Sequence, residues 1–499
     1  MCARARGPPL DQLATHVVCC ARRGCGPGLL RAVVKTPIRS DFRMSAAEAD
    51  ESSPRILFRI QDSTLGGRGL FATQPIKPGT EVFIERPAYH TPCADGKTDE
   101  QEGHEALAAH IVASSAPPHR QAIDRLVSNI DDLRQQEPRR LAVEAAVGPV
   151  RAIISSMPID QALAIVSPSS AFTTQVPDSM RETIGRSLAS LARSVNEERV
   201  WQAYGRDWSN AMAVFTGLSA TRRGSALYPQ SGAVMNHSNS PNCFLVFDDD
   251  WTLRVRCISP VARGDELTHS YMELGRPYEE LRAELLRKYC FDVGPVDERG
   301  AQRYLPGASA SDDARVEALA STYDSGRACV EPAALIPAIT AAMHRRQRAQ
   351  DWQGVVSASD DLLHCYRYAY RVLHPQVAFR LLSAGLACLR LEADVASRGA
   401  SSKGASADPQ ACAEQEARHV ARRAARYLTQ AHRMLCVTHG EGHALAASAL
   451  RALERVSSAL EQALCVWSKS HLDRSGLIWL EVSNRNTSKR KQTYKYTFA

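Results

Sequence analysis

The sequence predicts an α+β protein in two parts: small curved β-sheets split by a long helical insert, then an all-α C-terminal region. Three observations carry this expectation. Short apolar runs bounded by Gly, Pro and Asn turn signals cluster near residues 55–84 and again at 243–271. Between them, from Glu105 to about Trp208, Ala, Leu and Arg recur at the three-to-four-residue spacing of helices. From residue 311 to about 470 the same texture returns in successive segments, as in helix pairs stacked into an α-solenoid, though without a clean repeat.

The composition is that of a globular protein, with 499 residues, 44% hydrophobic and 23% charged. The chain has room for more than one core. No apolar run approaches the ~18 residues of a membrane-spanning helix, so no membrane span is expected. The net charge of +7 is concentrated at the ends, with +6 in residues 1–43 and +5 in 484–499. The body is therefore mildly acidic, which argues against a nucleic-acid-binding core and suits a basic partner such as a lysine-rich peptide. The 14 cysteines are scattered with no CxxC pair, the pattern of reduced thiols rather than a disulfide framework or zinc ribbon.

In chain order, residues 1–43 are rich in Arg, Gly, Cys and Pro and poor in acids. They read equally as an organellar transit peptide or as an upstream extension with translation starting at Met44. Ile56–Ile60 is strand-like, and Gly66-Gly67-Arg68-Gly69 turns into a second strand, Leu70-Phe71-Ala72. Lys77-Pro78-Gly79 is a β-turn before Glu81–Ile84. In the helical region, Ser128 and Asn129 read as helix caps. Tyr228 to Met235 leads into Asn236-His237-Ser238, where amide and imidazole groups follow a buried run and must either cap a loop or hold a ligand. Cys243–Phe247 and Leu253–Ile258 flank Asp248-Asp249-Asp250 as a hairpin, and Val261–Tyr271 adds a turn and a strand. A helix follows Pro277 and ends near Lys288-Tyr289-Cys290-Phe291. Ser397–Ser406 reads as a mobile low-complexity loop, and the basic tail after Asn484 as disordered.

Four pieces in this order, Gly67-Arg68-Gly69-Leu70-Phe71-Ala72, Asn236-His237-Ser238 with Asn242-Cys243, Gly264-Asp265-Glu266-Leu267-Thr268 with Ser270-Tyr271, and Lys288–Phe291, resemble the SET-domain lysine methyltransferases. The resemblance is to the group combining SET and MYND domains (SMYD). Leu126–Ile130 resembles that group's helical insert, and His374-Pro375 with Val437–His443 its C-terminal TPR-like domain. The resemblance implies a SET N-terminal part at 51–104, a helical insert at 105–208 and a SET C-terminal part at 209–275. A post-SET-like segment at 276–300 and a TPR-like domain at 301–470 would follow, with a basic extension at 1–50 and a basic tail at 471–499.

It also implies S-adenosylmethionine as methyl donor. Gly67, Arg68, Gly69, Asn129, Asn210, Asn236, His237, Tyr271 and Phe291 match donor-binding positions. Tyr271 matches the active-site tyrosine, and Met212, Tyr271 and Tyr289 match the wall of the lysine channel, with Met212 where the family usually has Phe. The Asn236 segment and the Tyr271 strand would cross in a knot-like arrangement. Implied partners are a protein substrate with a target lysine, and a peptide or chaperone on the C-terminal helices of a monomeric protein. The location would be cytoplasmic or nuclear, or organellar if residues 1–43 are a transit peptide.

Two departures concern zinc. Where the group carries the MYND finger, between Thr91 and Glu105, this chain has only a short linker with Cys93 and His104. The four cysteine positions of the group's second zinc site read Asn239, Val293, Pro295 and Glu298. Concerted loss of all four ligands implies a SET domain rebuilt without metal, with Phe291 held by packing. A catalytically inactive SET and TPR-like interaction scaffold stays as the alternative.

Overall fold

The computed structural model describes residues 56–93, 99–167, 176–215, 222–293, 332–370, 373–401, 407–456, 478–481 and 493–496. The basic extension at 1–50 lies outside these. Strand β1, Phe58–Asp62, begins two residues later than its apolar run and pairs antiparallel with β2, Arg68–Ala72. The turn closes through Ser63 N–H donating to Gly67 O at 2.9 Å, with Gly66 and Gly67 at φ 123° and 58°, conformations that favour glycine. The free edge of β2 takes β10, Glu266–His269, and β10 pairs in parallel with the two-residue β7, Asn236–His237. The register sets Thr268 beside Asn236 and His269 beside His237, so segments distant in sequence lie side by side. Asn242 locks this crossing: its amide donates to Glu266 O and its Oδ1 accepts from Thr268 N–H.

A second sheet joins β3, Glu81–Glu85, to the expected hairpin of β8, Cys243–Phe247, and β9, Leu253–Cys257. A third was not anticipated: β4, Tyr89–Pro92, β5, Met212–Phe215, and β6, Arg222–Leu227, in the order β4-β6-β5. Its strands are four to six residues long and β6 reads Arg-Arg-Gly-Ser-Ala-Leu, which carries no alternation to detect. Gly224 is required there, because a Cβ would stand 2.1 Å from Thr91 O.

The insert begins at Asp99, earlier than its periodicity indicates. It contains α1, Asp99–Ser115, α2, Pro117–Asp124, α3, Ile130–Arg134, α4, Glu137–Ser156, α5, Ile159–Val166, α6, Asp178–Ser194, and α7, Glu197–Asn210. Ile111, Ile123, Leu133, Val150, Ile154 and Trp201 build its core. α7 presses on the segment before α3 so closely that a Cβ on Gly205 would meet Ser128 O at 2.2 Å.

After α8, Tyr278–Tyr289, the C-terminal region holds α9, Pro332–Arg348, α10, Trp352–Ala369, α11, Pro375–Ser401, and α12, Ala407–His439, each packed on the next, then a helix over 444–456. Residues 397–401, expected in a loop, instead extend α11, since Ser, Arg and Ala are tolerated in a helix and Gly399 alone costs about 1 kcal/mol; 402–406 lie outside the described residues. Gly440, at φ 97°, ends α12. The expectation of a disordered tail is corrected in part: Thr493–Tyr496 forms a strand, β12, antiparallel to β11, Ile478–Glu481, and three of its four residues, one Thr and two Tyr, favour strands. The helical region docks on the second sheet. Arg256 donates to Val437 O and Gly79 O, and the Phe244 ring lies 5.9 Å from His374 and 5.5 Å from His439. Among the described residues no single helix is long and apolar enough to cross a membrane.

Candidate active site

The site is organised by a turn held from beneath. Glu85, at the end of β3, is buried, and its carboxylate accepts the backbone N–H groups of Gln230, Ser231 and Gly232 at 2.8, 2.9 and 2.8 Å. Burial pushes its pKa up against the opposing pull of those three bonds. The anchored turn delivers Met235, Asn236 and His237 to the crossing. Tyr271, expected on a strand, lies two residues beyond the end of β10. Its hydroxyl donates to Met235 O at 2.8 Å, and its backbone N–H donates to His237 Nδ1 at 3.0 Å.

That second bond fixes the imidazole tautomer. A backbone N–H can only donate, so Nδ1 accepts and the ring proton sits on Nε2, 2.8 Å from Asn239 Oδ1. Burial lowers the His237 pKa, with the Asn239 bond opposing. Around Tyr271 stand Tyr289, His237 and Phe291, with ring centroids 4.9, 5.4 and 6.1 Å away. Burial, then the neighbouring Tyr289 and Glu266, push the Tyr271 phenol far above its ordinary pKa.

Phe291 reaches this cluster through the end of α8. Helices leave their last carbonyls unbonded, and here the insert satisfies them: Arg139 donates to Arg287 O, Trp208 Nε1 to Lys288 O and Asn129 Nδ2 to Tyr289 O. Cys290, at φ 58°, reverses the chain, and Arg282 grips Asp292 with two bonds of 2.6 Å. Tyr271, Tyr289, Phe291 and Val293 pack against the C-terminal helical core. Met212, at the start of β5, packs instead against the strand core around Val214 and Tyr228.

The glycine loop closes the other side. Gly67 lies against Val127, Arg68 donates to Arg125 O, and Asn236 Nδ2 donates to both Arg68 O and Glu266 Oε1. Gly69 sits over that pair: a Cβ there would stand 2.0 Å from Glu266 Oε1. Glu266, Glu85 and Asn242 are the residues sequence reasoning passed over. Glu266 was visible inside the Gly264–Thr268 motif but had no assigned role, whereas nothing local marks Glu85.

Asn129 occupies the position before α3 at φ 44° but makes no capping bond, so the capping expectation fails. Its amide donates to Ser209 Oγ and Tyr289 O, and that of Asn210 to Val127 O and Arg206 O. Asn129, Asn210 and Asn236 thus each spend both amide hydrogens on the protein. What each retains for a ligand is a carbonyl oxygen, an acceptor suited to ammonium and hydroxyl groups.

Residues 67–272 match the model of the SET domain. Over these residues the chain is SET-like, and its relatives include SMYD proteins. It is 27% identical over 119 residues to a SET and MYND domain-containing protein of Dictyostelium discoideum, covering 21% of this chain and 34% of that one. It is 39% identical over 69 residues to the histone-lysine N-methyltransferase SMYD3 of mouse and of human, covering 14% of this chain and 16% of each relative. The matched segments thus span about a third or less of these relatives. The family model that matches is that of the SET domain, and the mouse and human relatives are histone-lysine N-methyltransferases by name.

Of the four positions matching the family's second zinc site, Asn239 binds His237 and Val293 is hydrocarbon, neither a zinc ligand in chemistry; Pro295 and Glu298 lie outside the described residues. Among the described residues no group of three or more His, Cys, Asp or Glu is placed to hold a metal. Strand β4 ends at Pro92 and α1 begins at Asp99, where SMYD relatives are expected to carry the finger.

Proposed function

We propose that this SET protein moves a methyl group from S-adenosylmethionine to the amine of a lysine in another protein. The observation that carries the reading is the Tyr271 hydroxyl, held on Met235 O inside a box of His237, Tyr289 and Phe291. The donor supplies an electrophilic methyl on a sulfonium. Oxygens of Asn129, Asn210 and Asn236 suit its ammonium and hydroxyls, and the glycine loop at 67–69 lets backbone approach closely. Aromatic faces of Tyr271, Tyr289 and Phe291 favour a cation.

The chain's own residues then act on the lysine. A half-buried aromatic box desolvates the amine and favours its neutral, nucleophilic form. Tyr271 keeps its proton at neutral pH and directs it to Met235 O, so its lone pairs accept from the amine and orient it without removing a proton. Alignment of nitrogen with the methyl supplies most of the rate gain. Met212 and Tyr289 line the channel in this reading, and the mildly acidic body suits a basic target.

The test incubates the protein with labelled S-adenosylmethionine and a lysine-peptide array, beside Tyr271→Phe. Label on lysine, reduced at least ten-fold in the variant, is expected. Donor binding without transfer in either protein would replace the enzyme with an interaction scaffold.

A further inference from the structure

Away from the ring cluster, α1, α2 and α7 line an open cavity of about 250 Å³. Arg120, Arg199 and Arg206 line it, Asp124 is the one acid among its lining residues, and His110 forms part of its wall. The positive charge is poorly compensated. Arg206 stands 3.8 Å from Asp124, and its Nε is buried without a hydrogen-bond partner among the described residues. Arg120 and Arg199 donate to neutral oxygens, those of Ser114, Ser115 and Ser194. The cations disturb one another: after burial, Arg120 is what lowers the Arg199 pKa, and Arg206 adds to the burial that drops His110 to about 3.

His110 is the independent observation. It is 1% exposed, yet neither ring nitrogen has a hydrogen-bond partner among the described residues. Its nearest aromatic contact is the edge of Tyr89, at 5.7 Å between centroids. Buried polar groups are rarely left so. In the same molecule His237, at 7% exposure, has both nitrogens engaged.

We propose that this cavity binds a phosphate group, free or carried on a small molecule, held by Arg199, Arg206 and His110 with Arg120 at the mouth. Guanidinium groups match phosphate oxygens in charge and geometry, and Arg206 Nε has no competing partner among the described residues. A neutral imidazole can donate from the one ring nitrogen that faces the cavity to a phosphate oxygen. Three guanidinium groups around one cavity suit the three or four oxygens of a phosphate better than the two of a carboxylate. The cavity has room for inorganic phosphate or a small phosphomonoester. Nothing here depends on the methyl-transfer reading.

The test follows the His110 imidazole resonance of histidine-labelled full-length protein, assigned with His110→Gln, during titration at constant ionic strength. Inorganic phosphate, phenyl phosphate and acetate are the probes. A saturable shift with inorganic phosphate points to the free ion, and tighter binding of phenyl phosphate to a carried group. Arg206→Gln is expected to weaken binding at least ten-fold with an unchanged circular dichroism spectrum. Should that variant fail to fold, Arg199→Gln, at a half-buried position, reads the same loss. No saturable shift, equal binding of acetate, or undiminished affinity in the folded arginine variants would overturn the site.

Discussion

Glu85→Ala removes the only carboxylate on which the Gln230–Gly232 turn rests, and with it three backbone hydrogen bonds of 2.8–2.9 Å. A hydrogen bond to a charged group is worth about 1.5–3 kcal/mol net, so three would sum to roughly 6 kcal/mol. Two effects reduce that figure. The carboxylate loses solvation on burial, as its raised pKa records, and water entering the space partly satisfies the freed N–H groups. A loss of about 3 kcal/mol is expected. Glu85→Gln keeps one acceptor oxygen but sets an amide N–H₂ against N–H donors, so about 2 kcal/mol is lost. Because the turn delivers Asn236 and His237, opening should be local first. Hydrogen exchange at 228–238 reports that opening and urea unfolding the total. Both should rank parent, Gln, Ala in falling stability, with donor affinity following. Unchanged exchange at 228–238 in Glu85→Ala would refute the claim that this carboxylate positions the site.

Asn239→Asp places a carboxylate on His237 Nε2 and should raise the imidazole pKa. Below that pKa, Nδ1 gains a proton that opposes Tyr271 N–H, so donor binding should weaken as pH falls; a histidine NMR titration indistinguishable from the parent would sink this. Gly69→Ala drives a Cβ into Glu266, whose carboxylate is held by Asn236 and Ser63, at a cost of about 1–3 kcal/mol. Thermal unfolding should show the loss, and adding Glu266→Ala should relieve it; a Gly69→Ala protein as stable as the parent contradicts the packing. His374 and His439, at the junction of the strands and the C-terminal helices, have pKa values lowered by burial to about 3, well below the ordinary 6.5. The unfolded chain takes up protons as pH falls through 6.5 while the native state does not. The stability they support is therefore present above pH 6.5 and lost toward pH 3, by about 1 kcal/mol per histidine per pH unit. Urea unfolding at pH 7 and pH 5 measures it, and a flat profile would refute it.

The sequence by itself determined the two-part architecture, because helix period and turn chemistry are local properties. It also marked Gly67, Asn236, His237, Tyr271 and Phe291, because their motifs recur in a fixed order. Tertiary structure decided the rest. Asn129 looks like a cap and is a brace, because its amide meets Ser209 and Tyr289, residues 80 and 160 positions away. The third sheet stayed hidden because its strands are too short for periodicity and gain their stability only from one another. Glu85 reads as one more charge on a strand until the fold brings three N–H groups to it. His110 lies in an apolar helical run whose pattern says only that it is buried. Which polar groups share its cavity is set by the packing of three helices, a non-local fact that no pattern along one chain can carry.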